Sequence, residues 1–528
     1  MVEFYTWADK ITSELINRGN RHVLHGMWTP SGFFHIGNAR TELLMQALVK
    51  QVLAEQGADV THNFIFDNFD DFDKVPAGFD AKRFAPHLGR PLREVPSPDD
   101  NFGSWAEYLE SHIINYAELF GAAPNFISMY DEYKHGRYDE AVRIVLNNAR
   151  QVRDIWVRIT KSDKPENWIA VMPVCEGCSR SSTTTALAWD GDMLRYACDQ
   201  DRGYCAGCGY EGSLKPGKGN VKLPWRVHWA ATWFINGTTF EPAGKDHFTK
   251  GGSVETSQAF CREIFGTEPP LQPPCEFIQL EGKKISGSKG NVITLQDWLS
   301  VAEPELLRFM LVSYQPNTVI EFNLTDKFLL LSNRYDEAER AYFAKEQLPG
   351  KRVMQLKRQY ELAQLRMPRR PVQMPYDFAA FLAQLEPFED FSKALAILKK
   401  TGHVQHELSG EETERVKMRL ERAKRWVEHY NPEMKLVIND TVPESIRQAL
   451  SPGQCTALRL LAKSLHIGMT HDDLYASFFS IAKEASVPSS EFFRAAYQVL
   501  MSRDAGPRLA HLILSIGIMR SKKILEQV

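Results

Sequence analysis

The chain has 528 residues, 43% of them apolar, with 63 lysines and arginines against 66 aspartates and glutamates, and eight cysteines. That length suits three or four domains with ample apolar material for their cores, which excludes collagen-like, disulfide-knotted and wholly disordered classes. The net charge of −3 hides an asymmetry: residues 1–350 hold 36 basic and 46 acidic side chains, whereas residues 351–528 hold 27 and 20, a hint of a polyanion partner for the second part.

Met1–Lys10 carries Glu3 and Asp9 and lacks the apolar run of a signal peptide. Arg21–Met27 is a short apolar-leaning run that reads as a strand and ends at the turn Thr29-Pro30-Ser31-Gly32. From Asn38 to Gln56 the apolar positions Leu44, Leu48 and Val52 recur at helical spacing, closed by Gly57, and Val60–Phe66 reads as a second, buried strand. Strand, glycine turn, helix, strand predicts a parallel sheet of Rossmann type with its ligand at the carboxyl ends of the strands. Residues 165–224 are rich in Cys, Gly, Ser and Thr and suit an inserted loop-rich module. A strand-like texture returns at Trp225–Phe240 and runs to about 295, and beyond Glu303-Pro304 the chain reads as helical. Glu411–Tyr430 is an example, with Val416, Leu420, Ala423 and Val427 on one face. The expected organisation is a catalytic domain over 1–164 and 225–300, an insertion over 165–224, a connecting segment over 301–350 and an α-helical domain over 351–528. Near the end, Leu512–Met519 is far shorter than the roughly 18 residues of a membrane span, so a cytoplasmic protein without a membrane partner is expected.

Three constellations carry chemistry. Thr29-Pro30-Ser31-Gly32-Phe33-Phe34-His35-Ile36-Gly37-Asn38 stands where a strand hands over to a helix, whose unpaired N–H groups favour phosphate. Gly32 and Gly37 allow close approach, and His35 and Asn38 can donate to phosphate oxygens, although a plain Pro-Gly turn capped by Asn would look the same. Gly282–Asn291 packs Lys283, Lys284 and Lys289 among serines and glycines, point charges suited to a triphosphate, or else a solvated basic loop. Cys175-Glu-Gly-Cys178 and Cys205-Ala-Gly-Cys208 have the spacing of a closed tetrahedral thiolate site for structural Zn²⁺, with Cys198 between them as a substitute ligand. Cys261, Cys275 and Cys455 stand alone and read as packing residues.

The first two constellations, some 250 residues apart in one α/β chain, resemble the paired signatures of class I aminoacyl-tRNA synthetases, here His35-Ile36-Gly37-Asn38 and Lys284-Ile285-Ser286-Gly287-Ser288. Asn38 in the fourth place, the preceding Thr-Pro-Ser-Gly, and the stretches Asp67–Pro76, Asn220–Val227 and Glu241–His247 are similar to class I lysyl-tRNA synthetases. Gly287 departs from the general signature, where a second lysine stands, so Lys289 is the candidate to carry that charge. Met27 stands where a small residue is expected, and His228 where an acidic one is.

The resemblance implies ATP-dependent attachment of L-lysine to tRNA(Lys) through a lysyl-adenylate, with Mg²⁺ sharing the phosphate charge. It implies His35, Asn38, Lys284, Ser286, Ser288 and Lys289 as catalytic residues. ATP would meet Pro30, Ser31, Gly32, Gly37, Asp246 and His247 as well as His35, Asn38, Lys284 and Ser288. A lysine pocket needs aromatic walls and a carboxylate, for which Thr29, Asp67, Asp70, Trp225, His228, Trp229 and Trp233 are candidates, though tryptophans four apart are also common in cores. The zinc module would lie over the acceptor end of the tRNA and the helical domain would read its anticodon limb, in a monomer. A class I synthetase or adenylate-forming ligase for another amino acid, and a non-catalytic zinc-bearing tRNA-binding protein, remain alternatives.

Overall fold

Three parallel strands form the backbone of the catalytic fold in this computed structural model, which describes residues 4–285, 292–344, 350–366, 370–385 and 391–528. β1 (Arg21–Trp28) pairs with β2 (Asp59–Phe66), Arg21 opposite Asp59 and Trp28 opposite Phe66, and β2 pairs with β3 (Asn125–Ser128). On the other side of β1, parallel bridges join Leu24 to Phe240 and Phe240 to Leu271. The order is therefore β3, β2, β1, then the segments at Phe240 and Leu271. The chain leaves β1 toward opposite sides, and the carboxyl ends of β1 and of the Phe240 segment flank a crevice.

The helix after β1 is not uniform. It opens as Ile36–Asn38, widens into a π-helical turn over Ala39–Leu44 and continues as an α-helix over Met45–Glu55. A Cβ on Gly26 of β1 would stand 1.7 Å from the Glu42 carbonyl oxygen, so only glycine lets the strand pass the widened turn. Gln46 closes the gap, donating from Nε2 to the carbonyls of His25 at 2.7 Å and Thr41 at 2.9 Å. Arg40, 2% exposed, reaches away from the helix and donates to the carbonyls of Glu276, Gln315, Pro316 and Thr318.

The strand-like texture at Trp225–Phe240 is a helix over most of its length, Trp225–Asn236, followed by Gly237 at φ 62° as its cap. Pro224 before its first turn and tryptophans four apart outweigh the aromatic, β-branched composition that suggested a strand. The insertion is closed by an antiparallel stem, Met172–Pro173 with Val221–Lys222, and holds a three-stranded antiparallel sheet of Thr185–Trp189, Leu194–Ala197 and Glu211–Leu214.

The chain divides into two compact units, and the boundary expected at 351 is not where it divides. The first contains the described residues of Met1–Leu299, Glu303–Phe322 and Glu346–Met367; the second contains those of Ser300–Ala302, Asn323–Lys345 and Pro368–Val528. The basic helix Lys351–Ala363 thus returns to the first unit. Buried Arg308 holds it, donating to the carbonyls of Leu362 and Ala363, to that of Phe120 and to Gln51 Oε1. Arg358 of the same helix pairs with Asp9, Glu55 and Glu361. Part of the C-terminal positive excess is therefore structural charge of the first unit.

The second unit is helical among its described residues. Its helix Gly410–His429 starts with a reciprocal Ser409/Glu412 cap and buries Val416, Leu420, Ala423 and Val427, as the periodicity requires, together with Trp426. No helix among the described residues of the chain is long and apolar enough to cross a membrane.

Lys222 ties the stem of the insertion to the end of β2. Its side chain is 4% exposed and its Nζ lies 2.8 Å from Asp70 and 4.0 Å from Asp67. Burial pushes the Asp67 carboxyl up to about 6 while Lys222 pulls it down. The folded state thus holds that proton more tightly than the unfolded chain, and stability is lost as pH rises from about 4 through 6. Lys222→Met strands the buried aspartate: denaturant unfolding at pH 8 is expected to show a loss of about 3–5 kcal/mol for the first unit, shrinking by pH 4 as the carboxylate takes up its proton.

Candidate active site

β1 ends at Trp28, and the turn that follows brings His35 to the start of the helix as its cap. His35 Nδ1 accepts from the backbone N–H groups of Gly37 at 3.1 Å and Asn38 at 3.2 Å, while the Asn38 side-chain oxygen accepts from His35 N. Because Nδ1 is an acceptor, the ring's single hydrogen sits on Nε2 as long as the ring is neutral. Burial, with Lys284 nearby, pushes the ring down to about 4, so it is neutral at physiological pH and offers one N–H donor. Asn38, its oxygen engaged, keeps its amide hydrogens for a ligand.

This turn forms one wall of a cavity of about 310 Å³ at the crevice beside β1. Ser31, Gly32, His35, Gly37 and Asn38 line it on one side, with Asp246, His247 and Lys284 on the other. Lys284 lies in the short strand Lys283–Lys284, paired with Ile278–Leu280. Its Nζ is 2.9 Å from Asp246 Oδ2 and 3.6 Å from the centroid of Phe277, another wall residue. That ion pair is more than half exposed on both sides, so it is worth no more than about 1 kcal/mol. The Arg40 clamp on the Glu276 carbonyl holds the Phe277 segment against the helix.

Of the residues expected at ATP, Pro30 is absent from the wall: its carbonyl instead accepts from Trp105 Nε1 at 3.0 Å. Ser286, Ser288 and Lys289 lie outside the described residues.

The residues expected around an amino-acid side chain are not among those that line this cavity. Thr29, Asp67, Asp70, Trp225, His228 and Trp229 do not line the cavity. Asp67 and Asp70 are engaged by Lys222, an internal ammonium where a substrate's was expected. His228 is buried, its ring stacked on Tyr133 and Tyr138 and its Nδ1 3.0 Å from the Tyr133 hydroxyl. The helix Trp225–Asn236 carries it on its inward face, a position that sequence alone, reading a strand, could not place. Trp229 lies behind the wall, 5.1 Å from Trp225 and 5.4 Å from His247. Thr29 uses its carbonyl to close the turn onto Ser31 N.

Glu42 lines the cavity and was missed. It sits in the π-helical turn, where a regular helix would have presented a different residue to the crevice. Enclosure pushes its carboxyl well above the ordinary range, with buried Glu241 adding to the effect and the Met27 N–H opposing it. Glu241 receives Trp229 Nε1 at 3.0 Å and Trp233 Nε1 at 2.5 Å, and burial pushes it up to about 7 against those two bonds. Cys275, expected as a packing residue, is buried but also faces the cavity. A carboxyl seven residues after the signature histidine was the available signal for Glu42; nothing local marked Cys275.

In the insertion, Cys175, Cys178, Cys198 and Cys208 place their sulfurs within 4.8 Å of one another, and Cys205 is not among them. Cys175 and Cys208 are 3.6 Å apart and Cys178 and Cys198 are 3.7 Å apart. Thiolates at about 2.3 Å on a tetrahedral zinc stand about 3.8 Å from each other, so the donor set fits that ion. The strand Leu194–Ala197 delivers Cys198 into the cluster, and Gly207 passes so close to the Cys198 carbonyl that a Cβ there would stand 2.2 Å from it. Of the second pair only Cys208 turns inward; Cys205 packs by Gly89 and Arg180.

The family model described as tRNA synthetases class I (K) matches residues 5–366. The lysine–tRNA ligase of Pyrococcus horikoshii is 34% identical over 524 residues, 97% of each chain, and that of Pyrococcus furiosus is 34% identical over 526 residues, again 97% of each. A crystal structure of a glutamate tRNA ligase from Elizabethkingia meningosepticum with its amino acid is similar at a TM-score of 0.40 and 13% identity, covering 96% of this chain and 98% of that one. With half the chain and more matched by one family model, and with relatives above 30% identity along nearly its whole length, the chain belongs to the class I lysyl-tRNA synthetases.

Proposed function

We propose that the cavity beside β1 joins L-lysine to ATP and passes the lysyl group to tRNA(Lys), releasing AMP and diphosphate. The observation that carries the reading is the convergence of the His35–Asn38 turn with Lys284 and Asp246, some 250 residues later, on one cavity in a chain of this family. The lysine α-carboxylate is itself the nucleophile at the α-phosphorus, so no side-chain base is required. Catalysis is positioning and stabilisation of charge on the phosphate oxygens. His35 Nε2–H and the Asn38 amide donate from the helix start, and Gly37 keeps that approach open. Asp246 takes the ribose hydroxyls, and Lys284, exchanged from Asp246, moves to the phosphates. Ser286, Ser288 and Lys289 would act from the adjoining signature stretch. Mg²⁺, when bound to the phosphates, supplies the remaining positive charge. A terminal tRNA hydroxyl then attacks the carbonyl of the adenylate and AMP leaves.

Glu42, backed by Glu241, replaces Asp67 and Asp70 as the acceptor for the lysine ε-ammonium. Two neighbouring carboxyls, both raised by burial, gain their charge most cheaply when a cation arrives, which makes the pair selective for an amine-bearing side chain. In the insertion, zinc is held by Cys175, Cys178, Cys198 and Cys208, which staples a small sheet with little core of its own. The helical unit reads the anticodon limb.

Three measurements test this. Lysine-dependent ATP–diphosphate exchange, run with tRNA present, is expected to fall about 30- to 1,000-fold in Lys284→Ala with the fold intact, the loss of one transition-state contact worth about 2–4 kcal/mol. Near-wild-type exchange overturns that assignment. Glu42→Gln is expected to raise the KM for lysine at least about 30-fold with the KM for ATP unchanged. In the unmodified protein that lysine KM should fall as pH rises from 6 to 8, because Glu241 at about 7 must give up its proton. Metal analysis of the purified chain should find one zinc, lost in Cys198→Ser and kept in Cys205→Ser; the reverse pattern returns Cys205 to the ligand set.

A further inference from the structure

The helix His471–Glu484 of the second unit is apolar on two faces. Leu474, Phe478, Ile481 and Ala482 are buried, the one stripe that a helix packed on a core requires. Its outer face carries Tyr475 and Phe479, 52% and 46% exposed, with ring centroids 5.4 Å apart. Phe479 in turn meets half-buried Phe493 of the neighbouring helix Ser489–Met501 at 6.1 Å. Single exposed rings are ordinary, but a row of them one turn apart, on a helix that already has its core face, is the pattern of a contact surface.

The charges on that helix select the partner. Asp472, Asp473, Lys483 and Glu484 are all exposed, three carboxylates to one ammonium, a balance that repels the phosphates of an RNA. A second copy of the same helix fits instead. Asp472, Ala476, Phe479 and Lys483 follow one another at spacings of four, three and four, so they run in one line along the exposed face. Laid antiparallel on itself about a two-fold axis passing between Ser477 and Phe478, the helix sets Asp472 opposite Lys483 of the copy and Ala476 opposite Phe479 of the copy, each pair occurring twice. One register thus satisfies charge and size together: anion meets cation at both ends, and a methyl group leaves room for each phenyl ring in the middle. The reciprocal cap of Thr470 and Asp473 fixes where the helix starts, so the line of residues is presented without rearrangement.

We propose that this face is the contact of a reversible dimer, two copies of the chain joined through antiparallel His471–Glu484 helices, in place of the monomer that the resemblance implied. About three helical turns against three bury no more than the ~1,200 Å² of weak, transient interfaces, so the dimer is expected to dissociate with a Kd on the order of 10 μM.

The test is sedimentation velocity of the full chain from about 1 to about 100 μM, concentrations that bracket that Kd. Wild type should pass from monomer to dimer across the range, and Phe479→Ser should stay monomeric throughout. Asp472→Lys and Lys483→Asp each set like charges opposite one another at both ends of the helix pair and should weaken association about 5- to 100-fold. The chain carrying both exchanges reverses every pair and should recover wild-type association, which a general loss of fold would not reproduce; all three positions are exposed. A wild type that stays monomeric across the range, a Phe479→Ser that associates as wild type does, or a doubly exchanged chain no tighter than the single variants overturns the proposal.

Discussion

The close passage of Gly26 under the Glu42 carbonyl is the constraint on which the site depends. Without a side chain on the strand at that point, the following helix can widen by one residue and still pack on the sheet. The widened turn sets Glu42 on the crevice and leaves His35 to cap the first turn through Nδ1, which leaves Nε2–H as the ring's donor. From the same turn Arg40 reaches the carbonyls at 276 and 315–318, which places the opposite wall of the cavity. One glycine therefore sets the spacing of sheet, helix start and far wall, a precision that rotamer freedom alone could not supply.

Buried cations recur as fasteners of the first unit. Lys222 is satisfied by aspartates, whereas Arg40 and Arg308 are satisfied largely by backbone carbonyls. The five donors of a guanidinium collect several carbonyls from distant segments at once, which an apolar side chain of equal volume cannot do. The site handles charge the other way. Glu42 and Glu241 are enclosed and pushed up by burial, whereas Asp246 and Glu276, on the wall of the cavity, pair with the half-exposed Lys284 and Lys245 at 2.9 and 2.7 Å. The contrast separates fixed structure from working parts.

The order of elements was largely legible in the sequence. Apolar periodicity after a Pro-Ser-Gly turn marks the first strand, helix and second strand, and the Cys, Gly and Thr texture marks the insertion. The side on which the Trp225–Asn236 segment presents its residues was not legible, because aromatic and β-branched residues favour a strand until Pro224 and tertiary packing impose a helix. The helix Lys351–Ala363 reads as part of the basic C-terminal region by charge, yet Arg308 and Arg358 draw it into the first unit through partners roughly 190 and 350 residues away.

The sequence by itself determined the family: two signatures some 250 residues apart and a cysteine-rich module, because those depend on which residue types are present and in what order. The tertiary structure alone decided which of these residues stand together. It gathers Cys198 rather than Cys205 with Cys175, Cys178 and Cys208, pairs buried Asp67 and half-exposed Asp70 with Lys222, stacks His228 on two tyrosines, and sets Glu42 on the wall of the cavity. Each of these depends on the direction of a side chain from a turn or strand, which is set by close packing between segments far apart in the chain and has no local signal in the sequence.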